Sequence, residues 1–247
     1  MAGNYVIHPI PLFSILDNAK AKMIWYFDKG VISVCVYIWY VKDGDKNILI
    51  DAGDSAESAI ARGHEIQQIQ TLEAGLRRVG LGVDDIDYVI VTHSHHDHIR
   101  FVQEFPKAKV IIQRAELEFA RNPHPLFAAS TNPPEYNQLL EGLDFYVVEG
   151  DTEIRDGIKL LLTPGHTPGT QSVAINTEQG TAIITGFCCV RENIEPPTQI
   201  REKIPFIPCG LNVNLVEAYE SGVRVKGLAD LIVPLHEIEF MHKSTIP

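Results

Sequence analysis

Four side chains able to bind a metal, His93, His95, Asp97 and His98, fall within one short stretch at the spacing His-x-His-x-Asp-His. Imidazole is the commonest protein ligand for transition metals, and a carboxylate is a good partner for a divalent ion. One ion cannot easily use all four groups from so short a loop. Two can, with His93 and His95 facing one ion and Asp97 and His98 its neighbour. His96, at the intervening position, is expected to point away from both. The cluster is internal and follows an apolar run, which separates it from a surface histidine tract.

The elements that must carry these groups are legible around them. Tyr88-Val89-Ile90-Val91 is apolar and β-branched, so it reads as a buried central strand, Tyr88 to Thr92, that ends where the histidines begin. A helix is expected from about Asp97. His166 follows the apolar run Leu161-Leu162, and His236 follows Leu231-Ile232-Val233-Pro234-Leu235. Three strands each ending in histidine imply that one sheet rim carries the candidate ligands. No Gly-x-Ser-x-Gly elbow offers a competing nucleophile.

The His-x-His-x-Asp-His run, the segment Thr163-Pro164-Gly165-His166-Thr167-Pro168-Gly169 and the late strand-end His236 together resemble the metallo-β-lactamase superfamily. The stretch Ile66 to Asp97 is most similar to its N-acyl homoserine lactonase and pyridoxolactonase branch, and the resemblance extends from Asn47 to His236. It implies an α+β fold, an αββα sandwich of two mixed β-sheets with helices on the outer faces and the site in the cleft between the sheets. It implies two metal ions, zinc with manganese or iron as alternatives. The first would take His93, His95 and His166, and the second Asp97, His98 and His236. Asp97 would double as the catalytic partner of the attacking hydroxide. Asp51, in Asp51-Ala52-Gly53, would orient ligands from behind rather than bind metal. Substrate-binding residues are not readable.

The implied reaction is the opening of a lactone or similar cyclic ester by hydroxide, since divalent metals bring the pKa of bound water down to about 7. Hydrolysis of a cyclic amide, thioester or carbamate is the alternative, as is a metal-binding relative with weakened catalysis. Three departures bear on this choice. Phe187, or Gly186 in a shifted alignment, stands where the family supplies a carboxylate that bridges the metals. Ile99-Arg100 replaces Gly-Gly after the motif. Val190 or Cys189 stands where lactonases carry a tyrosine. The second metal is therefore expected to be the looser, with hydroxide or substrate as the bridge. Cys188 is the nearest side chain that could replace the missing anion.

Composition sets the outer bounds. The 247 residues suit one domain, 1–247, with 45% hydrophobic and 21% charged residues. A net charge of −11 without a basic run speaks against nucleic acid as a partner and for a small-molecule substrate. Cys35, Cys188, Cys189 and Cys209 form no Cys-x-x-Cys pair. With no apparent leader and no membrane-length apolar window, a cytoplasmic protein without a membrane partner is expected. Oligomeric state stays open, a homodimer being one option.

Along the chain, residues 5–15 read as an edge strand, and 31–51 as a hairpin around Asp43-Gly44. Residues 54–65 read as loop, and Ile66 to Val79 as a helix. Asn122 to Asn137, with four prolines, Leu126-Phe127 and Tyr136, reads as a lid or pocket wall. Trp25, Tyr26, Phe27, Phe127, Phe187 and Phe206 are candidate aromatics for an apolar pocket.

Overall fold

The hairpin forms as its Asp-Gly signal requires. Asp43 pairs with Lys46 across a two-residue turn, and Gly44 takes the positive φ of 57° that such a turn demands. The computed structural model describes residues 4–25, 30–128 and 138–247. In chain order, β1 (Ile7–Ala19) leads through the one-turn α1 (Lys20–Met23) to β2 (Val31–Asp43) and β3 (Lys46–Ile50). Next come α2 (Ala56–Ala61), β4 (Ile66–Gln68), α3 (Leu72–Arg78), β5 (Tyr88–Ile90) and α4 (His96–Ile99). Then follow β6 (Lys109–Gln113), α5 (Arg114–Arg121), α6 (Pro125–Ala128) and β7 (Phe145–Val148). The second half runs β8 (Thr152–Arg155), β9 (Ile158–Leu162), β10 (Gln171–Thr177), β11 (Gly180–Ile184), α7 (Arg191–Ile194), α8 (Thr198–Arg201), α9 (Leu215–Leu228) and β12 (Leu231–Val233).

Two mixed sheets result, ordered β4-β1-β2-β3-β5-β6-β7 and β12-β11-β10-β9-β8. Strand periodicity explains how they stack. Along β2, Cys35, Tyr37, Trp39 and Val41 point one way, to a core shared with Leu160, Val173, Ile175 and Ile184 of the second sheet. The alternate residues Val34, Val36, Ile38 and Tyr40 join a different core that includes Leu72 and Leu76 of α3 and Leu117 of α5. The far face of the second sheet packs Leu161, Ala174 and Ile183 against Phe206 and Val225. Helices thus cover both outer faces, the αββα arrangement the resemblance implied. Among the described residues, no helix is long and apolar enough to cross a membrane.

Three local readings are corrected. The strand expected at the edge is β1, which pairs with β2 on one side and β4 on the other, so the edge falls to the three-residue β4. The helix expected across Ile66 to Val79 begins only at Leu72, where Thr71 accepts from Ala74 N as its N-cap. Ile66 instead pairs with Ile15 of β1, a tertiary pairing that overrides the helical spacing of Ile66 and Ile69. The stretch 54–65 holds α2, capped by Ser55 accepting from Ser58 N, with Ala56 and Ala59 buried. Small apolar residues among polar ones concealed that helix. Tyr26, Phe27, Tyr136 and most of the expected lid lie outside the described residues.

Candidate metal centre

The ligand-bearing loops sit where strands stop. β5 ends at Ile90, the loop Thr92–His95 follows, and α4 starts at His96. His166 lies in the turn between β9 and β10, and His236 lies just beyond β12. β5 belongs to the first sheet, whereas β9 and β12 belong to the second. The candidate ligands therefore come from the adjoining ends of two sheets, not from one rim.

These loops bring six side chains into two groups, His93 with His95 and His166, and Asp97 with His98 and His236. Within each group, one potential ligand atom per residue lies within 4.8 Å of the others. The groups touch: the His93 and His98 ring centroids are 4.0 Å apart. All five imidazoles are buried, and Asp97 is partly exposed. His96 belongs to neither group, yet it does not turn away. It lines the cleft with Nε2 3.9 Å from Asp97 Oδ1.

Hydrogen bonds behind the rings decide which nitrogen each one offers. His166 Nδ1 donates to Leu211 O at 2.5 Å, and His236 Nδ1 donates to Cys35 O at 3.0 Å. His98 Nδ1 donates to Asp51 Oδ2 at 2.7 Å. The Thr92 hydroxyl donates to that same oxygen at 2.9 Å, which leaves it to accept from His93 Nδ1 at 3.1 Å. Asp51 Oδ1 accepts the Thr92 N–H at 2.8 Å. In the neutral form each of these four histidines keeps its proton on Nδ1, so Nε2 is the nitrogen it can offer to a metal. Asp51 is fully buried and takes a positive φ of 63°, a costly conformation for a residue with a side chain.

Electrostatics favour metal-competent states. Burial and neighbouring imidazoles hold His93 and His95 well below the usual imidazole pKa, and burial takes His166 down to about 4. Burial alone would raise Asp97, but His98, His96 and His236 outweigh it and hold the carboxyl well below its usual range. His98 is the opposite case. Burial would lower it, yet Asp97 and Asp51 raise it to about 10. A divalent ion fits both groups. The buried His98 Nε2 makes no geometrically sound hydrogen bond and faces Asp97 Oδ2 at 3.3 Å, a pair of ligand atoms that a divalent ion would bind in place of the proton. His93 and His166 turn their unprotonated Nε2 atoms to each other at 3.1 Å, an arrangement of two acceptors that a cation would satisfy.

A buried carboxylate beside the first ligand group escaped the sequence reading. Glu116 on α5 has zero exposure and accepts from Ser94 N (2.7 Å), Ser94 Oγ (2.6 Å), Thr167 Oγ1 (2.5 Å) and Gly169 N (3.1 Å). Gly169 must be glycine here, because a Cβ would lie 2.1 Å from Glu116 N. Helical phase was the available signal. Glu116 shares the buried face with Leu117 and Ala120, an odd place for a charge unless something pairs with it.

The two positions at which a bridging carboxylate was expected, Gly186 and Phe187, differ sterically. A Cβ at Gly186 would fall 1.8 Å from Gln171 O, so no side chain fits there. Phe187 turns outward, its ring edge-on to Phe206 at 5.8 Å. The next residue turns inward: Cys188 Sγ lies 3.5 Å from His166 Nε2, while Cys209 Sγ lies 3.5 Å from His166 Nδ1. Burial pushes the Cys188 thiol well above its usual pKa in the metal-free chain.

Above the ligands opens a cleft of about 470 Å³, with Ile15, Met23, Val34, Val36 and Leu211 among its apolar lining and Asn18, Lys22, Arg62 and His64 among its polar lining. The apolar lining is therefore aliphatic, where aromatics were expected. Trp25 is 48% exposed on the surface, Phe127 packs toward Phe119 at 5.9 Å, and Phe187 and Phe206 are core.

An αββα sandwich with two histidine-rich groups at the ends of its facing sheets defines a class of metal-site protein. Residues 30–186 match the profile of the metallo-beta-lactamase superfamily, and the chain belongs to that superfamily. It is 36% identical over 172 residues to an N-acyl homoserine lactonase of Bacillus thuringiensis, a match covering 66% of this chain and 61% of that protein. The match to the N-acyl homoserine lactonase of Bacillus cereus is 32% over 196 residues, covering 72% of this chain and 71% of the relative. Among solved structures, the chain resembles an N-acyl homoserine lactone hydrolase carrying the product N-hexanoyl-L-homoserine at its catalytic metal center. The TM-score is 0.76 at 28% identity, over 97% of this chain and 95% of that one. The fold is also that of the dizinc quorum-quenching lactonase AidC, TM-score 0.73 at 18% identity, over 99% and 90% of the two chains.

Proposed function

We propose that this chain is a metal-dependent hydrolase that opens a lactone or similar cyclic ester, working as one catalytic unit over 1–247. The observation that carries the reading is the convergence of His93, His95 and His166 beside Asp97, His98 and His236 at one cleft. The relatives' names and the product held by one structural neighbour support the lactone. The first group would hold one divalent ion and the second another, zinc by preference, with manganese or iron as alternatives. Such ions supply Lewis acidity and lower the pKa of water to about 7. Asp97, ionised and facing the cleft, accepts a hydrogen bond from the attacking water and aligns it. The aliphatic wall seats the substrate's hydrocarbon part and keeps bulk water away. Asp51 fixes the tautomers of His98 and, through Thr92, of His93. The substrate is a small molecule, and the net charge of −11 opposes a nucleic-acid partner. A cytoplasmic location remains the expectation for the protein in the cell, and its oligomeric state stays open, a homodimer being one option.

The test is a panel of lactones, cyclic amides, thioesters and carbamates offered to metal-loaded protein, with acid release as the readout. Turnover of lactones ahead of the other classes is the expected result. Full metal content with no turnover of any class would instead favour a metal-binding relative with weakened catalysis, a reading supported by the single carboxylate, Asp97, among six ligands.

The same charge shortage makes the second ion the looser of the two. Two cations a few ångströms apart repel by several kcal/mol even at an effective dielectric near 20. Metal titration followed by chelator challenge should release one ion well before the other; simultaneous release at equal affinity would contradict this. In the same assay, loss of one ion from Cys188→Ser would show that the thiolate replaces the carboxylate absent at Phe187.

A further inference from the structure

Glu116 is a buried carboxylate with no part in the proposed chemistry, and its two oxygens divide their partners without overlap. Oε1 accepts both donors of Ser94, while Oε2 accepts Thr167 Oγ1 and Gly169 N. Ser94 stands between His93 and His95, and Thr167 follows His166. One oxygen therefore holds the loop that follows β5 in the first sheet, and the other holds the β9–β10 turn of the second. The residues it grips are the immediate neighbours of the complete first ligand group. Asp51 contacts His98 and Thr92 instead, so each group has its own carboxylate behind it.

We propose that Glu116 is the positioning residue of the His93, His95 and His166 group, setting the separation of two loops that no shared strand fixes. This rests on the reading of that group as a metal site. The argument is one of donor count. Ser94 N and Gly169 N can only donate, and they lie on opposite oxygens. Three imidazoles brought by two loops can hold one ion only if the loops keep their spacing to a few tenths of an ångström, since metal–nitrogen distances vary little. A carboxylate satisfies both sides at once. A carboxamide of the same shape cannot, because whichever side receives its NH2 faces a backbone N–H directly. The grip on one loop is then weakened, leaving the hydrogen bonds of Gln171 N to Thr92 O (2.9 Å) and of Gln171 Nε2 to Val91 O (2.8 Å) to tie the segments, while the core of α5, with Leu117 and Ala120, stays unchanged.

The experiment compares wild type with Glu116→Gln and the milder Thr167→Val. It measures the affinity of cobalt(II) by competition with a chromophoric chelator, the visible spectrum of the bound cobalt, and the thermal midpoint of the metal-free protein. The expected result is a loss of roughly 10- to 100-fold in the affinity of the tighter site. The cobalt spectrum should change and the looser site should be affected less. In metal-free form the midpoint should fall by a few degrees at most. Thr167→Val should show the same pattern at smaller amplitude. Should Glu116→Gln fail to fold, Thr167→Val carries the comparison by the same criteria. Unchanged affinity and spectrum in a folded variant would overturn the proposal. So would an affinity loss with an unchanged spectrum that tracks the fall in the metal-free midpoint, since that is a general structural role. If wild type itself binds no cobalt through its histidines, it is the metal-site reading that fails.

Discussion

Replacing His93 by alanine is expected to strip at least one metal ion from the protein and to lower turnover by about 10²-fold or more. His93 touches both ligand groups. Its Nε2 meets His166 Nε2 at 3.1 Å, its ring stacks obliquely on His98 at 4.0 Å, and its Nδ1 ties it through Thr92 to Asp51. Deleting the ring removes one of three ligands from the first group and an anchored neighbour from the second. A three-ligand site tolerates the loss of one poorly, because the two donors that remain hold a divalent ion weakly. Metal content by elemental analysis and rate on the best lactone are the two measurements. A variant that keeps both would refute the ligand assignment. Alanine at His8, His64, His124 or His242 should leave metal content unchanged, since none of these belongs to either group.

Asp97→Asn should be nearly as damaging, with turnover falling by about 10²- to 10⁴-fold, the range for a positioned proton acceptor. The substitution keeps the shape and removes the only carboxylate from both groups. It also has a signature in the metal-free protein. Asp97 and Asp51 raise the His98 pKa from an ordinary value of 6.5 to about 10. A group whose folded pKa is raised contributes stability that is fully present below the unfolded value. That stability is lost as pH rises through the folded value. The metal-free protein should therefore lose this contribution between pH 6.5 and about 10, and Asp97→Asn should shrink the effect. The same proton must leave before His98 Nε2 can bind an ion, so affinity at the second group should climb as pH rises over that window. Denaturant titrations of the metal-free pair across this pH range, with metal titrations of the wild type alongside, decide both points. A wild-type stability that is flat with pH, matched by the variant, would count against the charged His98.

What these experiments probe was only partly visible beforehand. The six ligand candidates, the hairpin of β2 and β3 and the central strand β5 could be read because each depends on local chemistry. A histidine is recognisable as a donor by type, and an Asp-Gly turn by two residues. A strand end shows where an apolar run meets polar loop residues. The sandwich itself came from the resemblance of the motifs, since composition alone reaches no further than α plus β. Even Asp51 was reached that way.

The tertiary structure decided everything that required distant segments to meet. Ile66 looks helical until β1 is there to pair with it, and no spacing within 66–79 records that partner. Phe187 and Cys188 are adjacent, and which of them faces the histidine cluster goes with Phe206, 19 positions downstream of Phe187, receiving the phenyl ring. Glu116 is separated from Ser94 by 22 positions and from Thr167 by 51. Its charge becomes intelligible only once two loops from different sheets offer four donors to one buried carboxylate. The sequence by itself determined which residues can ligate a metal and where strands deliver them, because residue type and backbone periodicity are properties of short segments. How far apart those ligands stand, and what holds them there, belongs to the packing of α5 and two sheets, because a buried charge is stable only where the whole fold supplies its partners.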